Sequence, residues 1–311
     1  MTRPLVIGSR RSGLARVQAQ WVKSALDGLS TGRKFVISFL ETSGDRWSER
    51  EESSLPGKGI FAKELESALL RREIDIAVHS MKDLATELPQ GLRIAAVSPR
   101  EDARDVWVSR SLPDWEAALP GTTVAVGSPR RIQQFRELRP DLSFCEIRGN
   151  VDTRLRKLEA NPSWSGTVLA AAGLKRLGLL DCGCYFAYLP FEVMLPAPGQ
   201  GALGIEARIE DEEVGRLLRP LHDDAAGWEV AAERAFLRGL GGGCRSAVGA
   251  KATVQERELV LEGVIWIEAR GRNFRKRSAG PAHEAESLGK SLAEEILREA
   301  GSPPDSGRAI E

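Results

Sequence analysis

The chain has no long hydrophobic run and no excess of charge of either sign. Its amino-terminal segment, MTRPLVIGSRRSGLARVQ, contains an apolar run of only three residues, which is shorter than the apolar core of a signal peptide. No apolar stretch approaches the length of a membrane span. Basic and acidic residues number 44 each, so no overall field attracts nucleic acid or an anionic membrane. The sequence therefore predicts a cytoplasmic protein without nucleic-acid or membrane partners.

Cysteine and histidine are scarce, with four and three residues respectively. In a reducing compartment, Cys145, Cys182, Cys184 and Cys244 do not predict a disulfide framework. Cys182 and Cys184 are too close in sequence for an ordinary disulfide, and they lack partners at the spacing of a metal site. The histidines lie far apart, so we predict no metal.

The glycine-rich motifs that bind nucleotides are also absent. The sequence contains no GxxxxGKS/T segment, and no GxGxxG segment follows a predicted strand. The sequence therefore gives no support to nucleotide binding.

The chain does have the composition of a soluble globular protein and a bias toward arginine. Apolar residues make up 42% and charged residues 28% of its 311 residues, a length that suits two or three domains. Ten of the 44 basic residues are lysine, so 34 are arginine. The planar arginine fork binds carboxylate or phosphate through two hydrogen bonds, which makes the positions of these residues informative.

Apolar runs that alternate with helical patterns predict an α/β fold with a small α+β C-terminal domain. The predicted strands of a first, largely parallel and doubly wound sheet are Leu5–Ile7, Val36–Leu40, Ile74–Val78 and Arg93–Val97, with Ala202–Ala207 returning to it. A second unit of the same type has predicted strands at Val106–Val108, Thr123–Val126, Phe144–Ile147 and Thr167–Ala170. The C-terminal domain has predicted helices at Ala225–Leu240 and near 284–299, with strands near 247–254 and 258–268.

The predicted domain boundaries follow from these elements. Domain 1 comprises 1–100 and 197–217, domain 2 comprises 104–194, and domain 3 comprises 220–300. The tail, 301–311, is predicted to be disordered. Residues 42–59 are highly charged and almost without apolar side chains, which predicts a long mobile loop of the kind that forms lids.

One predicted strand ends in chemically useful side chains. The apolar segment IDIAVHSMKD, at 74–83, finishes with Ser80, Lys82 and Asp83. In open α/β sheets, ligands bind at the carboxyl ends of the strands. Polar residues also follow many strands simply because the chain returns to water, so this segment alone leaves both interpretations open.

Three strand–helix junctions place basic residues at a predicted helix N-terminus. They are SRRS at 9–12, SPRR at 128–131, and RGN at 148–150 followed by Arg154 and Arg156. The positive end of a helix dipole disfavours arginine, whereas the free N–H groups there attract anions. Solvated surface arginines would explain any one junction, but three together predict a ligand with several carboxylates or phosphates.

A glycine loop, GGGCR at 241–245, surrounds Cys244 with residues that lack side chains. Such a thiol is accessible, and Arg245 favours its thiolate form. The alternative is a cysteine packed as a small apolar residue. Because no histidine is placed to activate a nucleophile, covalent attachment of a group is the more plausible role.

Five ordered segments carry a resemblance that covers essentially the whole chain. They are VHSMKD (78–83), RGNVDTRL (148–155), LAAAGLKRLG (169–178), PAPGQGALGIE (196–206) and the GGC loop (242–244). With these segments the chain closely resembles the porphobilinogen deaminase (hydroxymethylbilane synthase) family.

The resemblance implies three domains. Two are doubly wound like type II periplasmic binding proteins, with an active site in the cleft between them, and the third carries a dipyrromethane cofactor through a thioether to Cys244. It implies that the enzyme is a monomeric transferase of tetrapyrrole biosynthesis. The reaction joins four porphobilinogen molecules head to tail and releases ammonia each time.

The resemblance also implies a role for individual residues. Asp83 is the catalytic carboxylate. The residues that hold the cofactor are Ser80, Lys82, Asp83, Ser128, Arg130 and Arg131. The residues that bind substrate carboxylates are Arg10, Ser12, Arg148, Arg154 and Arg176. Lys58, in the predicted lid, is a further candidate for guarding the cleft.

The sequence departs from the family pattern at several positions. Val126 replaces a hydroxyl-bearing residue, Gly13 and Ala85 replace prolines, and Arg245-Ser246-Ala247 follows the cysteine. These departures leave an impaired deaminase open, and the two α/β units with basic helix starts leave a second alternative to an active transferase. This second alternative is a non-catalytic two-domain binding protein for a small polycarboxylate.

Overall fold

The computed structural model describes residues 3–29, 31–41, 62–242 and 247–301. The chain divides into two compact units. Unit 1 contains the described residues of 1–101 and 202–227, and unit 2 contains those of 102–201 and 228–311. The whole of the predicted loop 42–59, with Lys58, lies outside the described residues. So do the tail beyond 301 and Cys244, Arg245 and Ser246.

Strands and helices follow one another along the described chain and are numbered in chain order. The strands are β1 (Leu5–Arg10), β2 (Phe35–Leu40), β3 (Ile76–Ser80), β4 (Leu92–Val97), β5 (Asp105–Ser109), β6 (Thr123–Ala125), β7 (Ser143–Cys145), β8 (Trp164–Ala170), β9 (Tyr185–Tyr188), β10 (Leu203–Arg208), β11 (Val248–Gln255), β12 (Glu258–Ile267) and β13 (Arg272–Pro281). The helices are α1 (Gly13–Gly28), α2 (Lys63–Leu70), α3 (Pro129–Leu138), α4 (Val151–Ala160), α5 (Ala171–Arg176), α6 (Glu212–Leu218), α7 (Asp224–Gly239) and α8 (Ala285–Glu299).

The sheet of unit 1 has the order β2-β1-β3-β10-β4. Strands β1, β2 and β3 are parallel, and β10 is antiparallel to both β3 and β4. The prediction that Ala202–Ala207 returns to the first sheet is confirmed by β10.

Apolar side chains hold α1 against this sheet. Ala19, Val22 and Leu26 recur at helical spacing and are fully buried, in one cluster with Ile7 and Ile76. Because these positions share one face of the helix, their burial fixes α1 beside β1 and β3.

The sheet of unit 2 has the order β7-β6-β8-β5-β9. Strands β6, β7 and β8 are parallel, while β5 is antiparallel to β8 and β9. The two sheets therefore share one arrangement: three parallel strands, then one antiparallel strand, then an edge strand. The predicted strand Phe144–Ile147 is shorter and lies one residue earlier, at β7.

The core of unit 2 contains a large side chain, Trp107, that packs against a glycine, Gly166. Trp107, in β5, is completely buried. A Cβ atom at Gly166 in β8 would lie 2.5 Å from the Trp107 ring, so only glycine leaves room for the indole there.

The third sheet, β11-β12-β13, is antiparallel and belongs to unit 2. Its residues pack with α7 and α8 around Phe236, Leu261 and Ile296, all of which are completely buried. Asn273 of β13 donates a hydrogen bond to the Gln133 carbonyl oxygen at 3.1 Å, which ties this sheet to α3.

The predicted fold class is confirmed, with two α/β sheet domains and a small C-terminal α+β domain. The predicted boundaries of the three domains stay a prediction. In the described ranges, no helix has both the length and the apolar character needed to cross a membrane.

Candidate active site

In unit 1, the predicted site residues follow the ends of two neighbouring strands. Strands β1 and β3 are parallel partners, so their carboxyl ends lie at the same edge of the sheet. Strand β1 ends at Arg10, and β3 ends at Ser80. A 3₁₀ turn, Met81–Asp83, follows directly and carries Lys82. This edge is where open α/β sheets bind ligands.

Buried contacts anchor the turn that carries Asp83. The Met81 side chain is 1% exposed, and its amide donates to the Ala202 carbonyl oxygen at 3.0 Å. Leu84 is also buried. Asp83 itself is half-buried, and its carboxylate has no hydrogen bond or ion pair within the described part of the chain. The Asp83 carboxylate can therefore accept hydrogen bonds from a ligand, and the anchored turn holds it in position.

Two serines beside this turn are held by local hydrogen bonds. The buried Gln18 donates from Nε2 to the Ser80 hydroxyl at 2.8 Å. Ser12 caps α1, and its Oγ accepts from the Ala15 amide at 3.3 Å. Gln18 was not predicted as a site residue, because its position in the apolar pattern of α1 gives no signal of its contact with β3.

His79 points away from this chemistry into the core of unit 1. It is 6% exposed, and its Nε2 lies 2.9 Å from Oε2 of Glu206 in β10. Glu66 is also buried, and burial together with the nearby negative charge of Glu206 raises the pKa of Glu66. These residues support the sheet beneath Ser80 and Asp83.

In unit 2, the predicted residues again follow neighbouring parallel strands. The carboxyl ends of β6, β7 and β8 lie at one edge. Ser128 follows β6, Arg148 follows β7, and α5, which ends at Arg176, follows β8. Arg154 lies in the first turn of α4, after β7. The polar residues selected from the sequence thus collect at one sheet edge in each unit.

The structure gives Arg130 and Arg131 an internal anionic partner, whereas the sequence had predicted that they bind an external anion. Both are buried, and Asp105 of β5, which is completely buried, lies between them. Arg130 Nη1 donates to Asp105 Oδ2 at 2.6 Å, and Arg131 Nη2 donates to Oδ1 at 2.7 Å. The protein therefore supplies one anion for these cations itself.

The charges of this Asp105 cluster do not balance. Burial opposes ionisation of Asp105, but the two guanidinium groups outweigh it and hold the pKa of its carboxyl well below the usual range. Two buried cations then face one buried anion. Arg131 Nε is buried and has no hydrogen-bond partner among the described residues. Ser128 begins α3 without a capping bond from its side chain. The cluster fits a second, external carboxylate.

The other arginines of unit 2 are oriented by backbone and side-chain oxygens. Arg148 Nε donates to Glu146 Oε1 at 2.5 Å. Arg154 Nε donates to the Gly149 carbonyl oxygen at 2.8 Å, and Arg176 Nη2 donates to the Gly201 carbonyl oxygen at 2.7 Å. All three side chains are half-buried, which limits the conformations that they can adopt.

Of the departures from the family pattern, Gly13, Ala85, Val126 and Ala247 lie in described segments. Val126 is 1% exposed and belongs to the apolar core of unit 2, so no hydroxyl is available there. Ala85 is half-buried after the Met81–Asp83 turn. Among the described residues, no group of three histidine, cysteine, aspartate or glutamate side chains could hold a metal ion.

Two models of one protein family match most of this chain. Residues 5–216 match the family model "Porphobilinogen deaminase, dipyromethane cofactor binding domain", and residues 228–298 match "Porphobilinogen deaminase, C-terminal domain". Among solved structures, the methionine-binding protein MetQ covers 74% of this chain and 94% of its own, with a TM-score of 0.44 and 13% identity, a likeness too weak to bear on the fold.

Curated relatives are similar over nearly the whole chain. The porphobilinogen deaminase of Roseiflexus sp. is 44% identical over 301 residues, which is 97% of this chain and 98% of that protein. The porphobilinogen deaminase of Geotalea uraniireducens is 44% identical over 96% of this chain and 92% of its own length. That of Desulforudis audaxviator is 45% identical over 96% and 95%. By sequence and by matched domains, the chain belongs to the porphobilinogen deaminase family.

Proposed function

We propose that this chain is a hydroxymethylbilane synthase in which Asp83 is the catalytic carboxylate and Cys244 carries the dipyrromethane cofactor. The reaction condenses four porphobilinogen molecules into a linear tetrapyrrole and releases ammonia at each step. The observation that carries the assignment is the half-buried Asp83 carboxylate, unpartnered in the described ranges, on a turn anchored at the end of β3.

The chemistry of Asp83 follows from the charges on its substrate. A carboxylate accepts hydrogen bonds from pyrrole N–H groups, and it stabilises the positive charge that develops on the pyrrole as ammonia leaves. The same group can move a proton between the reacting atoms. Since Asp83 has no internal partner to give up in the described structure, its acceptor capacity is available for these donors.

The cofactor requires anion-binding groups, because its pyrroles carry acetate and propionate side chains. When bound, the dipyrromethane supplies the pyrrole carbon to which the first substrate unit is joined. Ser128, Arg130 and Arg131 would hold its carboxylates in unit 2, supported by the surplus positive charge around Asp105. Ser80 and Lys82 would hold it in unit 1, where Gln18 fixes the Ser80 hydroxyl.

The substrate side chains are carboxylates as well. Arg10 and Ser12 of unit 1 would bind them, and so would Arg148, Arg154 and Arg176 of unit 2. Guanidinium groups suit this task because each binds a carboxylate through two parallel N–H donors. The backbone contacts of Arg154 and Arg176 hold these forks in place before substrate binds. We also propose that the enzyme is cytoplasmic and monomeric. Light scattering tests the oligomeric state by measuring the mass of the protein in solution.

An Asp83→Asn variant tests the assignment directly. We expect intact-protein mass spectrometry to show the same cofactor mass as in the wild type. Turnover should fall about 10²–10⁴-fold, because the amide can neither stabilise the positive charge nor transfer the proton. The control is Asp27→Asn, which changes an exposed aspartate of α1 that pairs with Lys23. Wild-type turnover in Asp83→Asn would show that the catalytic carboxylate lies elsewhere.

A further inference from the structure

Two thiols outside the site residues lie together in a turn of unit 2. Cys182 and Cys184 stand on either side of Gly183, in the segment between α5 and β9. The backbone of Gly183 has φ +76, in the left-handed region that glycine adopts without strain. Two residues of chain span at most about 7 Å between Cα atoms, which is the upper reach of a disulfide. The turn therefore keeps the two thiols close enough to be joined.

The two thiols differ in exposure. Cys182 is exposed, whereas Cys184 is half-buried and packs against the apolar cluster that contains Val108 and Leu174. Burial, the negative charge of an ionised Cys182 and the hydrogen bond between the thiols raise the pKa of Cys184 to about 11. The positive charge of Arg110 opposes this shift in the pKa of Cys184, and the negative charge of Glu159 adds to it. Cys182 is thus the thiol that solution reaches more readily, whereas burial favours the protonated form of Cys184.

We propose that Cys182 and Cys184 form a reversible intramolecular disulfide by exchange with low-molecular-weight disulfides. The Cys182 thiolate attacks one sulfur of the small disulfide, forms a mixed disulfide and releases the first small thiol. Cys184 then loses its proton to solvent and attacks the Cys182 sulfur, which releases the second small thiol. Two protein thiols are oxidised to one disulfide, and one small disulfide is reduced to two thiols.

A disulfide fits this pair better than a metal ion does. Metal binding requires both sulfurs to be deprotonated at once, and no third metal-ligating side chain joins the pair among the described residues. Exchange needs only one thiolate at a time. A disulfide closed across a single residue in an exposed turn is strained, and strained, exposed disulfides are the easily reduced ones. The pair is accordingly a dithiol in a reducing compartment and responds to oxidation.

The test uses the purified full-length protein equilibrated with mixtures of reduced and oxidised glutathione. Free thiols are trapped with N-ethylmaleimide, and the peptide that contains residues 182–184 is weighed. We expect this peptide to take up two maleimides under reducing conditions. Under oxidising conditions it should take up none and lose the mass of two hydrogens, and dithiothreitol should reverse the change.

Single-cysteine variants separate the two chemical steps. In Cys184→Ser, Cys182 should accumulate a stable glutathione adduct, because no second thiol resolves it. The wild type should not accumulate this adduct. The control Cys145→Ser removes the half-buried thiol of β7 and should leave the oxidation of the 182–184 peptide unchanged.

Four results would overturn the proposal. They are two maleimides at every glutathione ratio, a stable adduct in the wild type, cross-linking of two chains through Cys182, and a stoichiometric Cu(I) complex in protein that glutathione disulfide does not oxidise. The last result would assign the pair to a soft metal ion.

Discussion

Asp105 decides what the arginine pair at the start of α3 does in this fold. From the sequence, the arginine pair at this helix N-terminus was one of three junctions that together predicted an anionic ligand. The structure provides Asp105, which lies 25 residues before Arg130 and is brought beside it by β5. Gln200 also donates to Asp105 Oδ1 at 2.9 Å. The arginines thus stabilise the core of unit 2, and in the proposed function their surplus charge would hold an external carboxylate.

Removing the charge of Asp105 should destabilise the protein strongly. In Asp105→Asn, two buried guanidinium groups lose their only charged partner in the cluster, and breaking a buried ion pair in this way costs about 3–5 kcal/mol. Urea unfolding followed by circular dichroism would measure the change. The matched control is Asp141→Asn, which breaks the partly exposed pair with Arg139 and should change the unfolding midpoint much less. Equal losses in both variants would contradict this account of the cluster.

The same cluster predicts a pH dependence. The pKa of Asp105 is lowered on folding, so its contribution to stability is fully present above the unfolded pKa, near 3.8, and is lost as the pH falls toward the folded value. We therefore expect the stability difference between wild type and Asp105→Asn to be constant from pH 7 to pH 5. Below about pH 4 the difference should shrink. Urea midpoints of both proteins across this range test it, and a difference that grows in acid would exclude the assignment.

Two other polar contacts near Asp83 join residues that are far apart in sequence. Gln18 and Ser80 are separated by 62 positions, and His79 and Glu206 by 127. The sequence predicted Ser80 as a site residue from its place at a strand end. Nothing local identified Gln18 as a neighbour of Ser80 or Glu206 as the partner of His79, because Gln18 and Glu206 each lie in an element with its own apolar pattern.

At the scale of elements, most strands with continuous apolar runs were predicted, whereas the short edge strand β9 and the charged strand β13 were missed. Every residue of β5 and β10 is buried, which the apolar segments of the sequence indicated. Strand β13, RNFRKRSAGP, has only Phe274 buried. It is a strand because it pairs along its whole length with β12. Such pairing depends on a neighbour, so the composition of β13 alone gives little sign of it.

The contact between β5 and β8 gives a prediction at this scale. In Gly166→Ala, the new methyl group would meet the buried Trp107 ring at 2.5 Å, so the indole or the strand must move. We expect a loss of about 1–3 kcal/mol in the free energy of unfolding, typical of an overpacked core. The near-ultraviolet circular dichroism signal of the packed Trp107 should also weaken in this variant.

Gly28→Ala is the control for this substitution. Its added methyl group has no heavy atom within 4 Å, at the end of α1. Because alanine favours helix over glycine, stability should rise by up to about 1 kcal/mol. If Gly166→Ala were as stable as the wild type, the proposed constraint on Trp107 would be wrong.

At the scale of the whole molecule, the two α/β sheets repeat one design. Each has three parallel strands followed by an antiparallel strand, β10 in unit 1 and β5 in unit 2. In each unit the site candidates follow the carboxyl ends of the parallel strands. Two separate sheets thus present polar and basic residues by the same structural principle.

The proposed cofactor gives a prediction for the complete protein. Cys244→Ala, expressed in a haem-producing host, should have the mass of the bare polypeptide, whereas the wild type should carry an added dipyrromethane. Groups bound only by the folded state raise its stability. The variant should therefore melt a few degrees lower in calorimetry, since about 1 kcal/mol shifts Tm by roughly 2–4 °C in domains of 150–250 residues.

Cys182→Ser is the control for this experiment. Its exposed thiol is not a candidate for cofactor attachment, so the added mass and the Tm of the wild type should both be retained. A wild-type protein at the bare polypeptide mass would contradict covalent attachment of the cofactor. An added mass that persists in Cys244→Ala would place the attachment at another residue.

The sequence by itself determined the order of most strands and helices, the return of β10 to the first sheet and the motifs that identify the family. These features are encoded by local periodicity and by short segments such as VHSMKD, which can be recognised without a partner. Only the tertiary structure decided that Asp105 neutralises one of the paired arginines, that Gln18 holds Ser80 and that β13 is a strand. Each of these features depends on which residues, distant in sequence, are brought together at a sheet edge or in a buried space. Charge pairs and hydrogen bonds between such residues are strong because burial removes the competing water.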